Sequence, residues 1–411
     1  MIYARFIYAG LLIIALAWVL VADFLLDKLY PYICWEILSW LPWCLYSTKN
    51  SIGYFHLLKV SMIFFVFHLL LLLLTLPADF AKGVTLFKNI HRRLWWVKLP
   101  VLAVLYALTL LIPNPVYVAY MIVALVLSVP FIAAQVVLLT EFAVRTNNAV
   151  VRRIPQGSGL LLLALSVGLL AIAGLQYVIT GTLYFFCFPV WPLYLVGFIL
   201  VTVIVIFSIA IERGSLFVAA VLSLFFTFMV VLAIESNSEF WSSWINDVFS
   251  FFGFVLPRMS YCPLEPHFSS YWADFFLGSV FSLVFKLVHS IWGGVFLITA
   301  VLMSCFSSFG LAPTFAGVDN PPPVSGFDSG NDDDKESGAD ITYHYWQFHA
   351  LMTLASAAIP VAFGTLSSGL FSWYLPVSII AAVLIGAGLY LWGLAAPSIL
   401  RNRRFYGGVR L

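Results

Sequence analysis

Charged residues fall in clusters along this chain, and the apolar runs between them have the length of membrane-crossing helices. A helix needs about 20 apolar residues to cross a hydrocarbon layer of roughly 30 Å. One such run lies between Arg5 and Asp23, and another between Lys59 and Asp79. The run from Lys98 to Glu141 is twice as long and is broken at Ile112-Pro113-Asn114-Pro115, which predicts two helices joined by a tight turn. Arg153 to Glu212 carries no charge, and its natural break lies between Gly181 and Pro192. Arg213 to Glu235 holds one pass, and a further pass follows Lys286 to about Phe306. Asp340 to Arg401 holds two, divided near Ser367–Tyr374. The pattern predicts ten helices, near 6–28, 54–76, 94–112, 116–143, 159–181, 190–211, 214–234, 280–306, 343–366 and 374–400. This is an all-α polytopic membrane protein, with residues 1–411 in a single integral membrane domain.

Composition narrows the function classes. Of 411 residues, 63% are hydrophobic, 17% aromatic and only 9% charged, too few charges to cover a water-soluble fold of this size. The net charge of +2 argues against a nucleic-acid partner. Five cysteines without a CxxC pair exclude a metal ribbon and a dense disulfide scaffold.

Lysine and arginine set the orientation. Ten passes place Arg5, Lys82, Lys88, Arg92, Arg93, Lys98, Arg145, Arg152, Arg153, Arg213, Lys335, Arg401, Arg403, Arg404 and Arg410 on one side. The other side holds Lys28, Lys49, Lys59 and Arg258. The basic side, with both termini, is expected to be cytoplasmic, or matrix in a mitochondrial inner membrane. No small-residue cleavage site clearly follows the first run, so the first helix is expected to stay as a signal anchor. The outer loops carry no Asn-x-Ser/Thr sequon.

Three connecting segments stand out. Residues 77–98 are basic and end in Trp95 and Trp96, as in an interfacial segment drawn to anionic headgroups, or as ordinary positive-inside bias. Residues 236–274, with Trp241, Trp244, Phe249, Phe252 and Phe254, form an aromatic outer loop expected at the interface. Residues 312–341, which include Asp332-Asp333-Asp334, have the composition of a flexible acidic loop. Cys34, Cys44, Cys187 and Cys262 fall on the outer side, where either disulfides or simple apolar packing would suit them.

Polar residues inside the spans are functional candidates by default. They include His56, Lys59, His68, Gln135, Glu141, Gln176, Glu212, Arg213, Lys286, His289, Gln347 and His349. Lys59, Glu141, Glu212 and Arg213 sit at helix ends, where long side chains can snorkel. Lys286 and His289 share a helix face and suit a phosphate headgroup, or simply mark the start of a helix. No HExxH, GxSxG or phosphate-cradling glycine loop is present, and no acidic pair lies mid-membrane. These absences point away from an enzyme, an ion pump and a coupled transporter, and no cofactor or metal is expected.

The last helix supplies a family likeness. Leu389-Tyr390-Leu391-Trp392-Gly393-Leu394-Ala395-Ala396-Pro397, then Leu400-Arg401-Asn402-Arg403-Arg404-Phe405, resembles the closing helix of the serine incorporator family. Tyr343 to Ser356, with Phe348-His349 and Leu354-Ala355-Ser356, is similar to the start of that family's ninth helix, and the acidic 332–340 stretch before it to the family's acidic loop. Ile112-Pro113 and Gln135 to Ala143 resemble the turn after its third helix and the end of its fourth. Departures are Glu141 where the family has Asp, Val144-Arg145-Thr146 in place of His-Ser-Trp, and the absence of a cysteine-rich N-terminal tract. The resemblance implies two helical bundles, a long tilted fourth helix between them, and surface grooves for lipid. It also implies serine-derived lipid metabolism, phospholipid scrambling and restriction of enveloped viruses as associated activities.

The resulting expectation is a non-catalytic protein that binds or scrambles membrane phospholipids. Gln135, Glu141, Lys286 and His289 are the residues expected along the lipid path. The resemblance favours a plasma or endomembrane location. The alternative is an accessory subunit of a larger membrane complex, with other membrane proteins as partners. A small-solute transporter is the third reading.

Overall fold

A computed structural model describes residues 2–32, 52–76, 90, 93–154, 156–187, 191–211, 214–236, 247, 250, 279–306, 345–362 and 374–399. These residues form ten helices, with no strand among them. They are α1 (Ile2–Tyr32), α2 (Ile52–Thr75), α3 (Trp95–Leu111), α4 (Asn114–Arg153), α5 (Ser158–Cys187), α6 (Trp191–Ala210), α7 (Leu216–Ser236), α8 (Ser279–Phe306), α9 (Tyr345–Ala362) and α10 (Tyr374–Ile399). Within the described residues α2, α4, α5, α6, α7 and α10 are long and apolar enough to cross a membrane. Shorter apolar stretches lie in α1, α3 and α8. The protein is an integral multi-pass membrane protein. The acidic 312–341 segment and almost all of the aromatic 236–274 segment lie outside the described residues, as do Glu212, Arg213 and the side chains of the four outer cysteines.

Local chemistry explains the breaks. Ile112 adopts extended backbone (ψ 129°) because Pro113 follows it, and Pro115 occupies the first turn of α4, where its missing N–H costs nothing. The fourth helix is expected to end near 143 on hydropathy, yet α4 runs on to Arg153. Charge ends a membrane span but not a helix: Arg145 pairs with Glu141 one turn back, and Arg152 and Arg153 suit the negative end of the helix dipole. Gly157 then turns the chain into α5 with φ +97°, a conformation that glycine adopts without strain.

The helices pack as two bundles. One contains α1, α2, α3, α8 and α9, the other α5, α6, α7 and α10, and α4 touches both. In the second bundle α7 is buried on every side, with Phe225, Phe226 and Phe228 among its enclosed residues. A helix apolar all round belongs in such an interior. By contrast α5 and α6 turn most of their surface outward.

Contacts show that successive helices alternate in direction. Tyr8, early in α1, packs on His68 late in α2, on Trp95 at the start of α3 and on His349 early in α9. Arg5 donates to the Cys305 carbonyl in the last turn of α8 (2.8 Å). Tyr117, early in α4, donates to the Thr109 carbonyl late in α3 (2.6 Å). Ser215, just before α7, donates to Asn147 late in α4 (3.3 Å). One end of the molecule therefore collects Arg5, Arg93, Lys98, Arg145, Arg152 and Arg153, and is called the basic end below.

A polar clamp holds α2, α4 and α9 together. The Ser61 hydroxyl donates to the Ser356 carbonyl (2.7 Å), so the Tyr120 hydroxyl must donate to Ser61 (2.8 Å). Ser61→Ala removes both bonds and strands the Tyr120 hydroxyl. It should lower thermal stability in mild detergent by about 1 kcal/mol, and Tyr120→Phe on that background should recover part of the loss. Identical melting of S61A and the native protein would mean that the clamp carries no net stability.

Candidate lipid-path site

A crevice lies where α4 passes between the bundles. Phe131, Ile132 and Gln135 of α4 face Phe225, Phe228 and Met229 of α7, Gly293 and Phe296 of α8, and Ala358, Val361 and Ala362 of α9. Its volume is about 20 Å³, room for about one water-sized group. The lining is aromatic and aliphatic except for one amide. Gln135 is buried, and no hydrogen-bond partner for it occurs among the described residues. Gly293 makes this closeness of α8 and α9 possible, because a Cβ there would run into the Ala362 carbonyl. Pro130 in α4 and Pro360 in α9 lie near the crevice, and each removes a backbone donor from its helix.

The four expected lipid-path residues fare differently. Gln135 lines the crevice. Glu141, one to two turns further along α4, is partly buried and paired with Arg145. Lys286 and His289 precede Gly293 in α8, but their side chains lie outside the described residues.

Other polar side chains occupy positions that spacing alone does not reveal. Lys59 does not snorkel. It is buried, with its ammonium 5.4 Å from the Tyr117 ring centre, because that ring offers a cation a π face inside the bundle. At the basic end His68 and His349 are fully buried and meet through their Nδ1 atoms at 3.3 Å. One ring donates and the other accepts, so the accepting ring is neutral. Phe67, Phe348 and Tyr8 enclose this pair. Nearby, Arg5 stands over Phe348, and Lys98 stands over Trp95 (4.5 Å) and Tyr8 (5.2 Å). Lys98 also donates to the Arg93 carbonyl (2.6 Å). Trp95 thus packs inward, whereas Trp96 is 76% exposed and is the indole placed for an interface. Ionisable residues of helices brought together from opposite ends of the chain give no local signal of their pairing.

Among the described residues no cluster of three or more metal-ligating side chains occurs. No nucleophile with its base emerges from the crevice either. Its arrangement suits reversible contact: one amide can hydrogen-bond a polar group while apolar walls face the rest.

Comparison with curated proteins yields no match. The sequence profile of the serine incorporator (Serinc) family matches residues 1–247, about three-fifths of the chain. That match contains α1 to α7 and with them the 112–113 turn and the 135–143 segment, while the terminal 389–405 motif lies beyond it. On this match the chain belongs to the serine incorporator family.

Proposed function

We propose that the protein binds phospholipids and lets them cross between leaflets along α4, without bond chemistry, and in this way supports serine-derived lipid metabolism. The observation that carries this reading is Gln135, a buried amide in an otherwise apolar crevice between two helical bundles. Lining an apolar crevice with an amide carries a desolvation cost. That cost is offset if a lipid headgroup or glycerol ester takes up the amide when the bundles part. The crevice as it stands is too small for a lipid. Pro130 and Pro360 weaken the two helices beside it, which supports opening at this level. The basic end faces the cytoplasm in this proposal, because positive loops are retained there, and the plasma or an endomembrane is the site of action.

The test is reconstitution in liposomes with a fluorescent phospholipid and a membrane-impermeant quencher. Native protein should expose the inner-leaflet label faster than empty liposomes do. Gln135→Leu keeps the volume and removes the amide, and should slow passage about tenfold, the equivalent of one hydrogen bond in a membrane interior. A native rate equal to that of empty liposomes rules the proposal out.

A further inference from the structure

Two polar contacts join α2 to α9, two turns apart on each helix. The Ser61 clamp reaches Ser356 at one level, and His68 meets His349 at the other. The spacing from 61 to 68 and from 349 to 356 puts about 10 Å between the two levels. Hydroxyls and a carbonyl make the first contact, and these do not titrate near neutral pH. Two imidazoles make the second, and imidazole is the side chain that changes charge between about pH 5 and 8. The imidazole contact also lies nearer the basic end: His349 is one turn inside the start of α9, and His68 is two turns before the end of α2.

The surroundings of this pair suit neutral rings. Both imidazoles are fully buried, and one Nδ1–H points at the other Nδ1 across 3.3 Å. Nε2 of His68 is buried without a hydrogen-bond partner. Tyr8 packs against both imidazoles (5.5 and 5.1 Å between ring centres), with Phe64, Phe67 and Phe348 beside them. Among the described residues, the charged and titratable groups packed around this core are Arg5 and Tyr8 of α1, Lys98 of α3 and Cys305 of α8. Arg5 and Lys98 lie against Phe348 and Tyr8, and the Cys305 thiol turns to the Val301 carbonyl. From α4 the same core receives Leu138 and Phe142, while Glu141 is taken up by Arg145. A new positive charge on either ring would therefore be buried among neutral groups and two cations, which is costly.

We infer that the His68–His349 contact is an acid-released latch that fastens the basic ends of α2 and α9. A first added proton goes to the Nε2 of the donating ring, whose lone pair the contact does not use, and makes that ring a buried cation beside Arg5 and Lys98. A second proton takes the lone pair that accepts the hydrogen bond, and two N–H groups then point at each other. Parting of the helix ends relieves both, because it delivers the rings to water at headgroup level, where an imidazole takes up a proton below about pH 6.5. The parted form thus binds more protons than the closed form, so closure is favoured at higher pH and opening in acid. The Ser61 clamp does not titrate and holds through the change, so α9 pivots there and stays in its bundle. The latch goes beyond lipid passage and does not depend on it.

Spin labels at Leu73 and Gln347, near the two helix ends, report the separation by double electron–electron resonance. The full-length protein is used in nanodiscs, with its native cysteines replaced by alanine. One short distance is expected at about pH 7.5, well above the imidazole range. Below about pH 6.5 a longer distance should appear, and the ratio of long to short should rise about tenfold per pH unit for each proton taken up, up to about a hundredfold for two. H68F/H349F keeps two rings in place but takes up no protons there, and should hold the short distance throughout. If that variant does not fold, H68Q decides. It keeps a hydrogen-bonding partner for His349 and one titrating ring, so its ratio should rise by about tenfold per pH unit at most. A native distance that stays unchanged down to about pH 5 overturns the latch. So does the same acid response in H68F/H349F, or a response in H68Q as steep as the native one.

Discussion

Phe225→Ala should lower the stability of the protein by about 3–5 kcal/mol and at the same time speed lipid passage. Phe225 is fully buried in α7 and stands edge-on to Phe296 of α8 with ring centres 5.1 Å apart. It also lines the crevice opposite Gln135. Removing the ring leaves a void, and the surrounding helices relax only partly into it, so packing contacts are lost outright. Burial drives less inside a bilayer than in water, but the loss of van der Waals contact persists. On the proposed path, the same void widens the space offered to a lipid, which gives the second effect its opposite sign. Phe198→Ala on the outward surface of α6, where the ring is 60% exposed, is the control and should change neither quantity appreciably. Thermal unfolding in detergent and the liposome assay measure the two effects. A fall in both for Phe225→Ala would make the ring a packing element only and would count against the crevice as the path.

Gly293→Ala should also destabilise strongly, through excess volume instead of missing volume. The added methyl would overlap the carbonyl of Ala362, a backbone atom at the end of α9 that cannot rotate away. Either α8 slides off α9 or α9 unwinds at Pro360, at a cost of about 2–3 kcal/mol. Passage should change as well, because Gly293 is part of the crevice wall. Gly168→Ala provides the comparison. Nothing lies within 4 Å of where its methyl would go, and the site is interior to α5. There alanine should be neutral or stabilising by up to about 1 kcal/mol, from helix propensity alone. Opposite signs for these two chemically identical changes would confirm close helix approach at Gly293. Equal melting temperatures would show that α8 and α9 are further apart than described.

Much of the fold is legible because hydrocarbon imposes a simple demand. Each crossing segment must satisfy its own backbone, so charge-free runs become helices. The Pro113 and Pro115 pair divides α3 from α4 for reasons local to four residues. The extension of α4 from 143 to Arg153 is not legible from hydropathy, because that measure registers the end of the apolar span and not the end of the helix. Of the expected lipid-path residues, Gln135 was legible as a lone amide in an apolar run. Its neighbours were not, since Phe225, Gly293 and Phe296 come from helices 90 to 161 residues away. Lys59 illustrates the same limit. Its place near a helix end predicts a side chain reaching for water, but Tyr117 of a later helix supplies a ring that keeps it inside.

What the sequence determined by itself is the medium, the helices and the charge asymmetry, because each depends on residues close together in the chain. Membership of the serine incorporator family likewise follows from sequence alone. Which polar groups meet was decided only in the tertiary structure. The Nδ1 contact of His68 with His349, the clamp of Ser61, Tyr120 and Ser356, and the crevice around Gln135 each join helices from distant parts of the chain. Helix periodicity constrains which face a residue occupies, but not which other helix that face will meet. Where lipid tails are as apolar as leucine, shape and a few hydrogen bonds make that choice.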